Sequence, residues 1–405
     1  VIEKHFTLDK TMEGNDHKVS LLPVEFKAMV EGIGQVEQAL GTGGERRPSQ
    51  GELMNRENLA KSLVINCDLA VGQEITAEMI EVKSPGRGVQ PNRKAELIGK
   101  KAQRNFQAGD FFFVSDLEEE QVRARDYKFN RPWGVPVRYH DFKAILAKSN
   151  PDFLEFHLSY KDMEQDIHKY FDAVYDINLV VHSPDLFAGD HLLNLADTDI
   201  SSRKRSIMEL QRVIDITRSL KPFFSKASKT IVVASLGGFT KDAHIHHSKR
   251  YEMYERVADC LSQLHVEGVE ILPQTLPPFP WYFGGQLFCN LFVDYKDTVE
   301  FCQKYGYRIC FDISHSKLAC NHFRWSFKEF TDKVAPYTGH LHIVDAAGVD
   351  GEGLQIGEGD IDFSVFAESI NRFIPDVSFI PEIWQGHKND GEGFWIALDR
   401  LEKLL

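Results

Sequence analysis

From about residue 132 to the end, short apolar runs recur at fairly even intervals: "GVPVRY", "FLEFHL", "NLVVHS", "TIVVAS", "VEILPQ", "YRICFD", "GHLHIV" and "VSFIPE". Each reads as a buried strand, and each is followed by a stretch that can be helical. The stretch after Asp199 shows the helical period directly, with Ile207, Leu210, Val213, Ile214 and Leu220 on one face. Eight strands alternating with eight helices over about 270 residues is the arithmetic of a closed (β/α)8 TIM barrel, an α/β fold. A doubly wound open sheet is expected to carry a Gly-rich phosphate turn after its first strand, and none is present.

Upstream the pattern differs. Val1 and Ile2 read as the start of a buried strand running into Glu3, Lys4 and His5, and the chain has no initiator Met. The expectation is the downstream part of a longer polypeptide, cut just before the last strand of its first domain. An amphipathic helix follows, with Phe26, Met29, Ile33, Val36 and Leu40 at helical spacing and Gly41 ending it. One strand and one helix cannot bury a core, so residues 1–45 read as a domain remnant. Residues 46–57 are a linker by their Gly, Arg and Pro content. Residues 58–117 hold short apolar runs separated by turns, a compact β-rich module, and the highly charged stretch 118–131 reads as a second linker before the barrel at 132–405.

Composition narrows the partners. The formal net charge of −13 argues against a nucleic-acid backbone. No apolar run approaches the length of a bilayer span. The six cysteines, Cys67, Cys260, Cys289, Cys302, Cys310 and Cys320, lack C-x-x-C spacing and read as reduced core thiols of a cytoplasmic protein.

In a (β/α)8 barrel the chemistry sits at the C-terminal strand ends. There the third strand ends in His182, the sixth in Asp312 with His315 three residues on, the seventh carries His340 and His342, and the eighth ends in Glu382. Imidazoles and carboxylates on one rim form a ligand set for a divalent cation such as Zn²⁺, Mn²⁺, Co²⁺ or Mg²⁺. The loop "PPFPWYFGG" offers Trp281 and Tyr282 as a wall for a sugar ring, or packs its own aromatics. His244, His246 and His247 read as a solvated loop. Gly237 and Gly238 could expose N–H groups to a phosphate. Asp350 and Glu352 are lid or second-metal candidates in a Gly-rich loop, or simply solvated.

Through "VVHSP", "FDISHS", "HLHIVDA", "IGEGDID" and "PEIWQGH", residues 132–405 resemble the xylose-isomerase-like barrels, which include sugar-phosphate isomerases, epimerases and apurinic endonucleases. The resemblance implies a metal held by a carboxylate from strand five, an Asp from strand six, a His from strand seven and a Glu from strand eight. Carried over, Asp312, His342 and Glu382 match, with His315 and His182 near the site. Strand five departs, because Gln274 stands at its end and Glu270 lies deeper. An amide can ligate through its oxygen but cannot act as a base, which leaves Glu382 as the obvious base with a histidine or water as partner. The expected activity is divalent-metal-dependent sugar isomerisation or epimerisation. A non-catalytic scaffold or dimerisation barrel is the alternative that Gln274 favours, and an endonuclease is a further one that the acidic charge disfavours.

"IEKHFTLDKTMEGNDHKVSLLPVEF" resembles the last barrel strand and following loop of the sialic acid (N-acetylneuraminate) synthases, which condense phosphoenolpyruvate with an N-acetylhexosamine-type sugar. The resemblance makes His5 a metal ligand and places Glu3 and Asp16 beside the sugar. Residues 58–117 look like the antifreeze-like, or SAF (β-clip), module of the same family, which in those enzymes reaches across a homodimer with an arginine from its "K-R-P-G" turn. Here the turn reads "KSPGRG", with Ser84 at the arginine position and Arg87 three residues later. The implied whole is a nonulosonic acid biosynthesis protein taking small sugar substrates, with no nucleic-acid or membrane partner.

Overall fold

The computed structural model describes residues 1–41, 48–118, 122–282 and 285–405, without the side chains of Gln38, Gln50, Trp281 and Tyr282. It divides into two compact units, Val1–Pro48 and Ser49–Leu405.

In the first unit, Val1 and Ile2 are exposed and carry no ladder, contrary to the strand expected there. A strand needs a neighbour for its N–H and C=O groups, and among the described residues of this unit only Phe6 finds one, as an isolated bridge to Leu21. The helix Pro23–Leu40 begins with Pro at its first position and Glu25 accepting from the Leu22 N–H at 2.8 Å, and Gly41 closes it at φ 60°. Of its apolar stripe, Phe26, Met29 and Ile33 are half-buried, while Val36 and Leu40 stay exposed.

The second unit opens with a difference from expectation. Residues Gln50–Leu59 form a helix where composition predicts linker, because Ser49 and Glu52 make a reciprocal capping box. The small module that follows pairs Ser62–Ile65 with Ile80–Lys83 antiparallel and closes around Leu63, Ile65, Leu97, Phe106 and Phe112. The helix and this module meet the barrel through polar contacts. Glu57 accepts from Gln385 and pairs with Lys388 at 3.1 Å, and Lys388 also reaches the Arg87 carbonyl at 3.3 Å.

Among the described residues, eight parallel strands form the barrel: β1 Gly134–Val137, β2 Phe153–His157, β3 Asn178–His182, β4 Thr230–Ala234, β5 Val269–Pro273, β6 Ile309–Asp312, β7 Thr338–Ile343 and β8 Phe379–Pro381. Strands β1 to β5 form one sheet in sequence order, and β6, β7 and β8 a second. The ring closes through single parallel bridges, Gln274 to Cys310 and Trp133 to Phe379. The core lies mainly between strands and helices; a smaller cluster fills the barrel with Phe153, Val180, Val233, Leu272, Cys310 and Ile380. Polar inward positions lie above this plug, Glu155 and His340 within their strands and the others toward the strand ends. Asp199 caps the helix Ile200–Leu220, which buries Leu210, Val213, Ile214 and Leu220 against the sheet. Among the described residues no helix is long and apolar enough to cross a membrane, and all six cysteines are unpaired.

Phe142, fully buried between Phe156, Phe171 and Tyr175, is a test of the outer core. Phe142→Ala is expected to cost about 3–5 kcal/mol in urea unfolding.

Candidate active site at the barrel mouth

The period of two along a strand decides which side chains enter the barrel. On β7 it sends His340 and His342 inward, and on β2 Phe153, Glu155 and His157. Glu155, His340 and His342 are fully buried. His340 donates from Nε2 to Glu155 Oε2 at 2.7 Å, and His342 donates from Nε2 to Glu155 Oε1 at 3.0 Å. His340 Nδ1 accepts from the Ser378 hydroxyl at 2.7 Å. Burial favours the neutral acid at Glu155, but His342 and His340 outweigh it and hold the carboxyl well below the usual range. His157 Nε2 lies 3.1 Å from the same carboxylate without hydrogen-bond alignment.

Above this layer the predicted residues converge. His342 Nδ1 is 2.7 Å from Glu382 Oε2, 3.2 Å from Gln274 Nε2 and 3.9 Å from Asp312 Oδ2. Gln274 donates to Asp312 Oδ2 at 3.1 Å, and its Oε1 lies 3.0 Å from His182 Nε2. His182 Nδ1 donates to the Ser183 carbonyl at 2.9 Å. Asp312 also caps the helix Ile313–Phe323, accepting from the His315 N–H at 3.0 Å. His315 bonds the Thr275 carbonyl through Nδ1 at 2.8 Å and meets Glu352 through Nε2 at 3.1 Å. Glu352, from the Gly-rich loop, is thus tied into the site, whereas Asp350 is not.

The charges are uneven. Burial pushes Asp312 up, and the nearby Glu382 adds to this. Burial also opposes ionisation of Glu382, but His342 holds it well below the carboxylate range. His315 is disfavoured as a cation by burial, yet Asp312 and Glu352 lift it to about 10.

Among the described residues, two imidazole-and-carboxylate clusters have donor atoms within 4.8 Å of one another: His182, His342 and Glu382, and Glu155, His340 and His342. The first borders the mouth. With Asp312 and the Gln274 oxygen beside it, its donors suit a hard or borderline divalent cation. Two adjoining cavities of about 290 and 160 Å³ open here, sharing Glu352 and Glu382. Trp384 lines the larger and offers an apolar wall.

Other expectations fare differently. The side chain of Trp281 lies outside the described residues. Gly237 and Gly238 answer to packing: a Cβ at Gly237 would meet Asn194 Oδ1 at 2.3 Å, and the Gly238 N–H already donates to that oxygen. His246 and His247 are exposed as expected, but His244 is half-buried among Phe279, Phe288 and Phe323. In the first unit, His5 Nδ1 is 3.6 Å from Asp16 Oδ2, both largely exposed, and Glu3 is exposed too. The Arg87 side chain is exposed.

Sequence reasoning passed over Glu155, His157, Asp185 and Trp384. Glu155 and His157 stand at alternate positions of an otherwise apolar run, a legible signal. Asp185 lacks one: it lies just past β3, with Oδ1 unpartnered, and burial pushes its carboxyl up.

A family model described as a xylose isomerase-like TIM barrel matches residues 141–404, well over half of the chain. The chain belongs to the xylose isomerase-like TIM barrel family. Residues 1–45 match the NeuB family and residues 60–118 the SAF domain. Among curated proteins, the N,N'-diacetyllegionaminic acid synthase of Legionella pneumophila is 38% identical over 118 residues, 29% of this chain and 33% of that protein. A pseudaminic acid synthase of Campylobacter jejuni is 41% identical over 117 residues, 29% of this chain and 34% of that one. The chain spans about a third of the length of these relatives. Among solved structures, a D-tagatose 3-epimerase-like protein aligns over 67% of this chain and 96% of its own at 22% identity and a TM-score of 0.46. D-psicose 3-epimerase from Clostridium cellulolyticum aligns over 67% and 97% at 13% identity and a TM-score of 0.45.

Because its folded value is raised, His315 contributes stability that is fully present below about pH 6.5, its unfolded value, and is lost as pH rises through about 10. In the metal-free protein, the His315 ring is expected to titrate well above an ordinary histidine by NMR, and Glu352→Gln to move that titration downward.

Proposed function

We propose that the barrel is a divalent-metal-dependent sugar isomerase or epimerase, and that the upstream segments serve a nonulosonic acid synthase of which this chain carries a part. The observation that supports the barrel reading is the meeting of Asp312, His342, Glu382 and Gln274 at the strand ends, with Glu382 Oε2 2.7 Å and Asp312 Oδ2 3.9 Å from His342 Nδ1 and the Gln274 oxygen 3.0 Å from His182 Nε2, beside a cavity sized for a small polar substrate. Those four residues would hold the metal. When bound, a divalent ion would polarise a sugar carbonyl and make the adjacent carbon more acidic.

The chain's own groups do the rest. Glu382, held ionised, is the base for a proton on that carbon. Gln274 cannot return one. His182 and His315 flank the mouth as hydrogen-bond partners for substrate oxygens, and Trp384 covers the apolar face of the ring. The Asp185 carboxyl follows β3 and faces Ser235 just past β4. Burial raises this carboxyl above an ordinary aspartate, and it lines the smaller cavity together with Glu382, which makes it a second carboxyl available to the substrate.

For the upstream part, the match to the NeuB family supports His5 as a ligand of a second metal, with Glu3 and Asp16 beside an N-acetylated sugar acceptor and phosphoenolpyruvate as co-substrate. The SAF match supports a homodimer in which Arg87 serves the partner.

Elemental analysis of the chain and its Glu382→Ala variant tests the barrel reading, together with deuterium wash-in from D₂O across ketohexose and N-acetylhexosamine panels. Stoichiometric metal lost in the variant, and exchange at one carbon reduced by about 10²-fold or more in Glu382→Gln, is the expected result. A metal-free wild type with no exchange would favour the scaffold reading instead.

A further inference from the structure

Building on that reading of the mouth, we infer that Glu155 is a positioning residue that fixes the face of His342 presented to the metal. A histidine ligand is defined by what its second nitrogen does: a carboxylate that accepts N–H on one side leaves the other nitrogen to the ion and stops the ring from flipping. His342 has this arrangement, with Nε2 donating to Glu155 Oε1 at 3.0 Å and Nδ1 turned to Glu382, Gln274 and Asp312.

Glu155 is in turn anchored. Its other oxygen accepts from His340 Nε2 at 2.7 Å, and His340 is oriented by Ser378 through Nδ1 at 2.7 Å. The relay therefore runs Ser378, His340, Glu155, His342, from the segment before β8 through β7 and β2 and back to β7. Although Glu155, His340 and His342 bring donor atoms close enough to suggest a second ion, the geometry points to hydrogen bonding. The nitrogen–oxygen separations are those of direct hydrogen bonds, all three side chains are fully buried, and His340 Nδ1 is already engaged. An ion would also need an entry path, and neither mouth cavity is lined by Glu155.

The test is Mn²⁺ binding by calorimetry to the full chain and to Glu155→Gln, which keeps the side chain's shape but not its charge. An isotope-edited NMR spectrum of the histidine rings of the Zn²⁺-loaded wild type accompanies it. The expected results are binding weakened about 10–100-fold in the variant, with the melting temperature showing that it remains folded, and a wild-type His342 ring that keeps its Nε2–H while Nδ1 is metal-bound. A Kd unchanged within twofold in the variant, or Nε2 as the bound atom, overturns the role of Glu155 while leaving the metal centre standing. Should Glu155→Gln not fold, the wild-type spectrum decides alone. A wild type that binds neither ion removes the proposed metal centre itself, and the positioning role with it.

Discussion

A carboxylate taken fully out of water is tolerated only where donors replace the water it has lost. Glu155 stands under that constraint at the middle of the barrel, and much of the mouth follows from it. Two β7 imidazoles must point inward to supply its hydrogen bonds, so β7 must hold His340 and His342 two residues apart. The His342 ring is then held between Glu155 below and Glu382 above. Beneath this layer the barrel is filled by Val180, Val233, Leu272, Cys310 and Ile380, whose apolar packing keeps water away and raises the cost of any unmade bond to Glu155.

Much of this was legible in the chain. Seven barrel strands lie within the apolar runs that announce them and β7 begins one residue before its run, at Thr338, because a parallel strand buried on both sides has a continuous apolar signature. The rim residues were readable for a related reason, since the fold dictates where strands end. Glu155 escaped notice because attention to strand ends overlooks a charged residue within a strand, where alternation alone reveals an inward carboxylate, whereas His157 ends β2 and the strand-end rule already pointed to it. Asp185 and the docking of Glu57 on Gln385 and Lys388 depend on distant segments meeting, and no local pattern carries that information. The helix Gln50–Leu59 was hidden by its polar composition, although Ser49 and Glu52 spelled its cap.

The module after that helix does not hang from the barrel by a loose tether. Glu57 meets Gln385 and Lys388 on the β8 loop, immediately after Glu382 and Trp384, and Lys388 also holds the Arg87 carbonyl. The wall of the mouth and the turn carrying Arg87 therefore share one lysine. The domain boundary is drawn by the separation of two apolar cores, while the polar network crosses it.

Gln274 has a consequence that lies in counting charge. Around the proposed divalent ion, three carboxylates would leave the assembly with a net negative charge, whereas Asp312, Glu382 and a neutral amide would leave it balanced. In the low dielectric of a barrel mouth, one residual charge a few ångströms from a substrate oxygen is a large effect. A balanced centre would repel an enolate less, and would admit a substrate that already carries an anionic group. In the proposed centre the single amide would thus bear on which molecules the mouth can receive as well as on which residue moves the proton.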